Sequence, residues 1–470
     1  MPASDSPIAA FWDEKIVPAL IDFIRIPNQS PLFDPEWSAH GHMDRAVKLV
    51  TDWIGAQGLQ GAQVEVLREG TRTPLILLDV AGTGTDTVLL YGHVDKQPPF
   101  TGWREGLGPW TPVLQPDGKL YGRGGADDGY AAFAIVAALK ALQQAQVPHG
   151  RMLALIECSE ESGSPDLPHY LSRLKERIGE PGLIVCLDSG CGDYDRLWST
   201  TSLRGMVTAT LRVDLLSEGV HSGLAGGVVP GAFMVARALL ARLENAGTGA
   251  VLPAALQAQV PPARLAQARK AAQVLGGSVA GSYPWLPGVR PLGDDPVESI
   301  LNNTWRASLS VTGADGLPPT DQAGNVQLPG LALKISIRIP PTVKPQAAAA
   351  EIKRLLEERP PFGAKVSVSA TSGPGWDAPP LASWLERATD EASRQAYGRE
   401  ACYFGVGGSI PFMHMLGEQY PRTQFLVTGV LGPNSNAHGP NEFLHVPYAK
   451  RLTQSLVHIL TGHARRADYT

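Results

Sequence analysis

Residues 151–164 read RMLALIECSEESGS, and this stretch joins an apolar run directly to a group of acidic residues. The run RMLALI is typical of a strand buried on both faces, as in a parallel sheet covered by helices. It ends in Glu157, Glu160 and Glu161 within five residues. Adjacent carboxylates repel each other, and burying an unpaired carboxylate is costly. The stretch therefore predicts either a solvated acidic loop or a site where cations, such as a metal pair, balance the charge.

The chain around this stretch alternates apolar strands with helical patterns. Strands are predicted in PLILLDVAG (74–82), in TDTVLLYGHVD (85–95), where the strand breaks at Gly92, and in GLIVCLDSG (182–190). The Ala-rich segment 129–145 predicts a long buried helix. This alternation predicts an α/β fold with a mixed, mostly parallel sheet that is covered by helices.

The pattern changes near residue 203. The segments RGMVTATLRVDL (204–215), LALKISIRIPP (331–341) and AKVSVSAT (364–371) alternate apolar and polar residues, as half-exposed strands do. Residues 245–330, rich in Gly, Pro and Ala, have no clear pattern. We therefore predict a smaller α+β domain inserted into the α/β domain. The predicted boundaries are 1–202 and 374–470 for the two parts of the α/β domain, and 203–373 for the insertion.

The composition is that of an ordinary globular protein, with 43% hydrophobic and 18% charged residues. A net charge of −5 gives no reason to expect nucleic acid or a membrane as partner. The four cysteines form no C-x-x-C pair, which favours a reducing compartment. The first residues, MPASDSPIAAFWDEK, lack signal-peptide features, and no apolar stretch is long enough to span a bilayer. We expect a cytoplasmic protein.

Residue types that bind metal ions follow several of the predicted strands. They are His93 and Asp95, Asp127 and Asp128, Glu160 and Glu161, Asp188, and, far along the chain, His438. Ligand sites in open α/β sheets gather at the carboxyl ends of strands, so these residues could converge. Each of them alone also fits a helix cap, a solvated loop, a turn or a surface histidine.

A pair of metal ions would explain the acidic stretch. Histidines mixed with carboxylates suit Zn²⁺, Mn²⁺ or Co²⁺ better than Ca²⁺. Two such ions lie about 3.5–4 Å apart and need a bridging carboxylate. One of the adjacent glutamates could then ligate an ion, while the other faces water as a general base. Asp95 could accept the ring N–H of His93 and set its tautomer.

In these motifs the sequence resembles the dizinc metallopeptidase family of carnosinases, cytosolic dipeptidases, glutamate carboxypeptidases, aminoacylase and succinyl-diaminopimelate desuccinylase. The resemblance is closest to the dipeptidase/carnosinase branch. The matching stretches run from residue 91 to residue 442 in the family's order: YGHVDKQP, LYGRGGADDG, ECSEESGS, LDSG, GVHSGLAGG, SIRIP, GGSIP and NAHGPNE. The implied fold is a zinc-peptidase-like catalytic domain with an inserted lid and dimerisation domain.

The resemblance implies a role for each matching residue. The implied metal ligands are His93, Asp127 and Asp188 for one ion, and Asp127, Glu161 and His438 for the other, with Asp127 as the bridge. Glu160 would be the general base and would later protonate the leaving amine. Asp95 would orient His93. His221, in the inserted domain, would stabilise the oxyanion, and in family dimers this residue often reaches the partner's active site.

The same resemblance implies a binding site for the terminal carboxylate of a substrate. Arg338 would clamp that carboxylate, and Gly408 and Ser409 would add polar contacts. Two departures from the family pattern concern the surroundings of these residues. Gly129 and Tyr130 follow the aspartate pair where the family has Lys, and Gly405 and Val406 replace the Arg and Glu of the dipeptidase branch.

The resulting hypothesis is a dinuclear-metal amide hydrolase with two divalent ions per chain. Zn²⁺ is the favoured metal, and Mn²⁺ and Co²⁺ are the alternatives. The favoured activity is that of a dipeptidase or carboxypeptidase-type enzyme on small peptides with a free carboxylate. An N-acyl-amino-acid deacylase uses the same chemistry and stays open. A non-catalytic metal-binding protein is the third alternative, although no ligand and no base is missing. A homodimer through the inserted domain is expected.

Overall fold

A computed structural model of the chain describes residues 6–84 and 86–469. Residues 1–5, at the start of the stretch inspected for a signal peptide, and Thr85, at the start of one predicted strand, lie outside the described part. The chain divides into two compact units. Unit 1 comprises Met1–Thr200, Ala378–Phe404 and Met415–Thr470, and unit 2 comprises Thr201–Asp377 and Gly405–His414.

The strands of the described residues are numbered in chain order. They are β1 (Ala62–Leu67), β2 (Leu75–Val80), β3 (Thr87–His93), β4 (Val113–Leu114), β5 (Lys119–Tyr121), β6 (Arg151–Glu157), β7 (Pro181–Cys186), β8 (Trp198–Leu203), β9 (Gly205–Asp214), β10 (Val220–His221), β11 (Ser308–Asp315), β12 (Val326–Gln327), β13 (Gly330–Ile339), β14 (Lys365–Gly373), β15 (Trp376–Asp377), β16 (Cys402–Val406), β17 (Gln424–Val427) and β18 (Phe443–His445).

The α-helices of the described residues are numbered in the same way. They are α1 (Pro7–Phe11), α2 (Val17–Ile24), α3 (Trp37–His40), α4 (His42–Ala56), α5 (Tyr130–Gln144), α6 (Leu167–Ile178), α7 (Ser222–Ala225), α8 (Ala232–Leu240), α9 (Pro262–Leu275), α10 (Ser278–Gly281), α11 (Pro296–Thr304), α12 (Pro345–Glu357), α13 (Ser383–Tyr397), α14 (Pro411–Gln419) and α15 (Val446–Ala464). None of them is both long and apolar enough to cross a membrane, within the part of the chain that is described.

The main sheet of unit 1 is mixed and its centre is parallel. The strand order is β1-β2-β6-β3-β7-β17-β8. Strand β3 pairs in parallel with β6 and β7, and β17 pairs in parallel with β7, while the outer pairings are antiparallel. Strands β3, β6 and β7 are buried along nearly their whole length, as their continuous apolar sequences predict. The predicted α/β fold with a mostly parallel sheet is confirmed.

Helix α5 is the buried helix that the Ala-rich segment predicts. It packs against β3 and α15, and α15 in turn packs against α13. The predicted break of strand β3 at Gly92 is wrong, because the strand continues to His93. Glycine is required at residue 92 for space: a Cβ there would lie 2.7 Å from Ala131 Cβ and 2.9 Å from Asp128 Oδ2. Gly92 thus lets the start of α5 approach the strand end.

A small three-stranded sheet joins distant parts of unit 1. Strand β5 pairs antiparallel with β4 on one side and with β18 on the other. In this pairing Phe443 lies opposite Tyr121. The loop that precedes β18 therefore lies beside the segment that follows β5, and both segments carry predicted metal ligands.

Unit 2 contains an antiparallel sheet in the order β11-β13-β9-β14. Strand β9 alternates buried and less buried residues, in agreement with the predicted half-exposed strand. The buried face packs against α8 and α12 in one hydrophobic core. The edge strand β11 was not predicted. Most of its residues are exposed, and the apolar alternation of SLSVTGAD is limited to Leu309 and Val311.

Candidate metal centre

The predicted ligands lie at one edge of the unit 1 sheet. Because β3, β6 and β7 are parallel neighbours, their carboxyl ends meet at the same edge. His93 ends β3, Glu160 and Glu161 follow β6, and Asp188 follows β7. Asp127 lies in the segment that leads into α5. The fold brings these side chains together with His438 from the loop before β18.

Two groups of potential ligands result, and they share one residue. His93, Asp127 and Asp188 form the first group, and Asp127, Glu161 and His438 form the second; within each group the ligand atoms lie within 4.8 Å of one another. One carboxylate oxygen of Asp127 lies 3.5 Å from His93 Nε2 and the other lies 3.0 Å from His438 Nε2. Asp127 therefore has the geometry of a bridging carboxylate.

The arrangement fits divalent cations because it leaves buried polar atoms unsatisfied. Within the described residues, His93 Nε2 and Glu161 Oε1 are buried and have no hydrogen-bond partner. Such atoms are costly unless a partner is present. Nitrogen and oxygen donors in this mixture suit ions of the Zn²⁺, Mn²⁺ or Co²⁺ type. The residues present can hold two such ions.

The pKa shifts of the carboxyl groups in this cluster also indicate that cations belong beside them. Burial, with the neighbouring Asp188, raises the pKa of Glu160, and burial, with Asp127, raises the pKa of Glu161. Burial also raises the pKa of Asp188 to about 6. Burial acts in the same direction on Asp127, but the adjacent His438 and His93 rings outweigh it and lower the pKa of this carboxyl. The acidic stretch is therefore no solvated loop: it needs positive charge beside it.

Asp95 connects a ligand to the acidic loop. Its backbone carbonyl lies 3.1 Å from His93 Nδ1, and its carboxylate Oδ1 lies 3.4 Å from the same nitrogen. A carbonyl only accepts hydrogen bonds, so Nδ1 carries the proton and Nε2 has a free lone pair. The carboxylate accepts hydrogen bonds from the backbone N–H groups of Glu160 and Glu161, at 3.1 and 2.9 Å.

Glu157, the first acid of the stretch, belongs to a separate hydrogen-bond network. Its Oε1 accepts hydrogen bonds from the Tyr91 hydroxyl at 2.5 Å and from the Ser164 hydroxyl at 2.8 Å. Burial, with the nearby Asp95, raises its pKa to about 7. It supports the end of β6 and is in neither ligand group.

Dense packing explains why Gly129 follows the aspartate pair. A Cβ at this position would lie 2.6 Å from the Gly124 carbonyl oxygen and 2.3 Å from a ring carbon of Phe23. A larger residue would force the segment that carries Asp127 to move. The adjacent Tyr130 is buried, and its hydroxyl donates to the Leu187 carbonyl at 2.5 Å, next to Asp188.

Unit 2 contains the predicted carboxylate-binding residues. Arg338 Nη1 donates to Ser409 Oγ at 3.0 Å, and that hydroxyl donates to the Arg204 carbonyl at 2.5 Å. The Arg204 guanidinium donates to the Gly407 carbonyl at 3.1 Å and to Ser308 Oγ at 3.0 Å. Burial and the neighbouring Arg338 lower the pKa of Arg204 to about 10. Neither arginine forms a salt bridge with a carboxylate of the described residues, so both charges are available to an anion.

Sequence reasoning missed Arg204. A usable signal existed, because this charged residue directly follows WSTTSL, a strand in which every residue is buried. Gly405 fits only as glycine here: a Cβ would lie 2.6 Å from Ser202 Oγ and 2.8 Å from Thr304 Cβ. Gly408 differs, since a Cβ there would meet only a Val406 methyl at 3.8 Å.

His221 is the remaining predicted residue. It lies in unit 2 at the end of β10, is exposed, and accepts a hydrogen bond from the Gly223 N–H through Nδ1 at 3.0 Å. This contact leaves Nε2 as the protonated nitrogen of a neutral ring. His221 is in neither ligand group.

The sheet edge and its shared aspartate define the class of a dinuclear metallohydrolase with an α/β fold. The chain belongs to Peptidase family M20/M25/M40, whose sequence profile matches residues 89–462. It is thus a metallohydrolase that acts on peptide bonds. The resemblance inferred from the motifs is confirmed.

Among relatives, a cysteinylglycine-S-conjugate dipeptidase of Corynebacterium striatum is 30% identical over 389 residues, covering 77% of this chain and 79% of the relative. A Beta-Ala-His dipeptidase of Homo sapiens is 27% identical over 432 residues, covering 85% and 80%. The solved structure of the di-peptidase Dug1p from Saccharomyces cerevisiae has a TM-score of 0.77 at 20% identity and covers 97% of both chains. The structural match shows a shared fold.

Proposed function

We propose that the protein is a dipeptidase that hydrolyses small peptides with a free carboxylate. It uses two divalent ions, and Zn²⁺ is the favoured metal. The observation that carries this proposal is the position of Asp127, whose two oxygens face His93 and His438 from two ligand groups. A carboxylate shared in this way is what a hydrolytic metal pair requires. The dipeptidase relatives support the substrate class.

The proposed ligands follow the two groups. His93, Asp127 and Asp188 hold one ion, and Asp127, Glu161 and His438 hold the other. Bound ions of this kind supply Lewis acidity, which lowers the pKa of a water molecule and polarises the scissile carbonyl. Mn²⁺ and Co²⁺ suit the same donors.

Glu160 is the proposed general base. It is absent from both ligand groups, its backbone N–H is held by Asp95, and Asp188 is among the charges that act on its carboxyl, which supports a role as base rather than ligand. Glu160 takes a proton from the attacking water and later gives it to the leaving amine. Asp95 orients His93 and Glu160. His221 donates a hydrogen bond from Nε2 to the oxyanion of the tetrahedral intermediate.

Arg338, Ser409 and the Gly408 backbone are proposed to bind the terminal carboxylate of the substrate. Arg338 provides a planar fork of donors that matches a carboxylate, and Ser409 fixes the position of that fork. A C-terminal carboxylate is present in dipeptides and also in N-acyl amino acids. The deacylase therefore remains the alternative activity.

Several properties of the whole protein are part of the same proposal. Residues 203–373 form a lid and dimerisation domain between catalytic segments 1–202 and 374–470, and the protein is a homodimer through this domain. The four cysteines are buried and form no disulfide among the described residues, which supports a reducing, cytoplasmic location. Partners are small peptides or N-acyl amino acids, and neither nucleic acid nor a membrane is among them.

Metal content and activity, measured on one sample, test the proposal. The purified protein is analysed for metal, stripped with a chelator, and reloaded with Zn²⁺, Mn²⁺ or Co²⁺. Each form is assayed on dipeptides, on their C-terminal amides and on N-acyl amino acids. We expect two ions per chain and metal-dependent release of amino acids from dipeptides. Preferential cleavage of N-acyl amino acids would instead identify a deacylase, and a folded protein that binds no metal would refute the mechanism.

A further inference from the structure

A buried ion pair outside the ligand groups joins the two segments that carry Asp127 and His438. Arg123 Nη1 donates to Glu442 Oε2 at 2.5 Å. The side chains are 1% and 0% exposed. A charged pair is costly to bury, so it needs further hydrogen bonds to be tolerated. Those hydrogen bonds reveal what the pair holds in place.

Both partners contact backbone next to a proposed ligand. Arg123 Nη2 donates to the carbonyl of Gly439, the residue after His438, at 2.7 Å. Glu442 Oε1 accepts from the Gly124 N–H at 2.9 Å and from the N–H of Ala126, the residue before Asp127, at 3.4 Å. The ion pair thus connects the backbone next to Asp127 with the backbone next to His438.

The His438 loop depends on such support. The backbone of His438 has a φ of +64°, and Asn436 and Asn441 have φ values of +53° and +64°. These left-handed conformations are uncommon in non-glycine residues and persist where surrounding contacts hold them. The His438 side chain is 57% exposed, so packing of the ring does little to fix it.

We propose that Arg123 and Glu442 are positioning residues that set the distance between His438 and Asp127, and thereby the affinity for one of the two ions. The ion affected is that of Asp127, Glu161 and His438. The ion of His93, Asp127 and Asp188 depends mainly on ligands carried by strand ends of the main sheet. This inference rests on the proposed function, because it presupposes that both groups bind metal.

The test is metal binding by the metal-free protein, measured by titration calorimetry with Zn²⁺ for wild type, Glu442→Gln and Arg123→Lys. Glu442→Gln keeps an acceptor for the Gly124 N–H and removes the charge. Arg123→Lys keeps the charge and removes the fork that reaches Gly439. Circular dichroism verifies that each variant is folded. If one of the two variants does not fold, the other is sufficient for the measurement.

Asp79→Asn is the matched control. It breaks a partly buried ion pair of the same unit, between Asp79 and Arg151, which has no contact with either ligand group. We expect two binding steps in wild type and in the control. In the variants of Arg123 and Glu442, one step should weaken by about 10–100-fold, the range for residues that orient metal ligands, while the other changes by less than about threefold.

The outcomes separate this inference from the proposed function. Two unchanged binding steps in both folded variants, or an equal loss in both steps, would overturn the positioning role while leaving the hydrolase intact. A wild-type protein without any binding step would overturn both. Weakening in the Asp79→Asn control to the same extent would attribute the effect to general destabilisation and would also overturn the inference.

Discussion

Asp95 and Glu160 are joined by a hydrogen bond of 3.1 Å from the backbone N–H of Glu160 to the Asp95 carboxylate. The second oxygen of that carboxylate accepts from the Glu161 N–H at 2.9 Å. The backbone carbonyl of the same residue accepts from His93. Asp95 therefore couples the orientation of a proposed ligand, through its backbone carbonyl, to that of the proposed base, through its carboxylate. This role is wider than the orientation of His93 that the sequence predicts.

Asp95→Asn should reduce kcat by about 10–100-fold, the range for groups that orient metal ligands. The amide has only one acceptor for two N–H groups, so its NH₂ would face one of them. Steady-state kinetics with saturating Zn²⁺ measures the effect. Asp117→Asn, on an exposed turn, is the control and should keep the wild-type kcat. An Asp95 variant with unchanged kcat would contradict the coupling.

Glu160→Gln should lower kcat by about 10²–10⁴-fold and leave two ions bound, because the general base is lost while no ligand is. Glu161→Gln should lose one ion per chain, since it removes a ligand. Metal analysis and kinetics on both variants separate the roles of the two neighbouring glutamates. Retained activity in Glu160→Gln, or metal loss from it, would argue against its assignment as the base.

Arg338→Lys and Ser409→Ala should raise KM for dipeptides by about tenfold or more, with a smaller change in kcat. A lysine provides charge but no planar fork, and the alanine removes the hydroxyl that positions Arg338. The decisive comparison uses a dipeptide and its C-terminal amide. Wild type should strongly prefer the free acid, and both variants should lose part of that preference. Equal preference in all three proteins would exclude a carboxylate site here.

Metal removal should lower the thermal stability of unit 1. The clustered carboxylates of Glu160, Glu161 and Asp188 then lack the positive charge of the ions. Ligands that bind only the folded state, at about a thousand times Kd, stabilise it by about 4 kcal/mol. Calorimetry with chelator and with Zn²⁺ should show a Tm that is several degrees lower without metal. Identical Tm values would mean that folding and metal binding are not linked.

Asp79 should make stability depend on pH in the acid range. Hydrogen bonds from Arg151 lower the pKa of this carboxyl, and those from Arg177 add to the effect. A lowered pKa stabilises the folded state above the unfolded value near 4, and this contribution is lost as pH falls through the folded value. Asp79→Asn should therefore cost about 1 kcal/mol at pH 7 and a smaller amount at pH 3. Urea unfolding at both pH values measures the change in the free energy of unfolding. An equal cost of the substitution at pH 7 and pH 3 would contradict a lowered pKa of Asp79.

Much of unit 1 was predictable because the central strands of its main sheet are buried on both faces. A buried parallel strand must be apolar throughout, so β3, β6 and β7 are evident in the sequence. The same property predicted the candidate ligands, because a charge at the end of such a strand requires a partner. In unit 2 the signal was weaker. The exposed edge strand β11 has only a short apolar alternation, and in the Ala-rich helix α9 only alanines are buried.

The sequence by itself determined the fold class, the order of the motifs and the identity of the candidate ligands, because these depend on local periodicity and residue chemistry. Only the tertiary structure decided how they combine. It placed the two oxygens of Asp127 toward different histidines, assigned Glu157 to a separate network, and paired Arg123 with Glu442. Such contacts join residues up to 319 positions apart, and no local pattern carries information about which oxygen meets which donor.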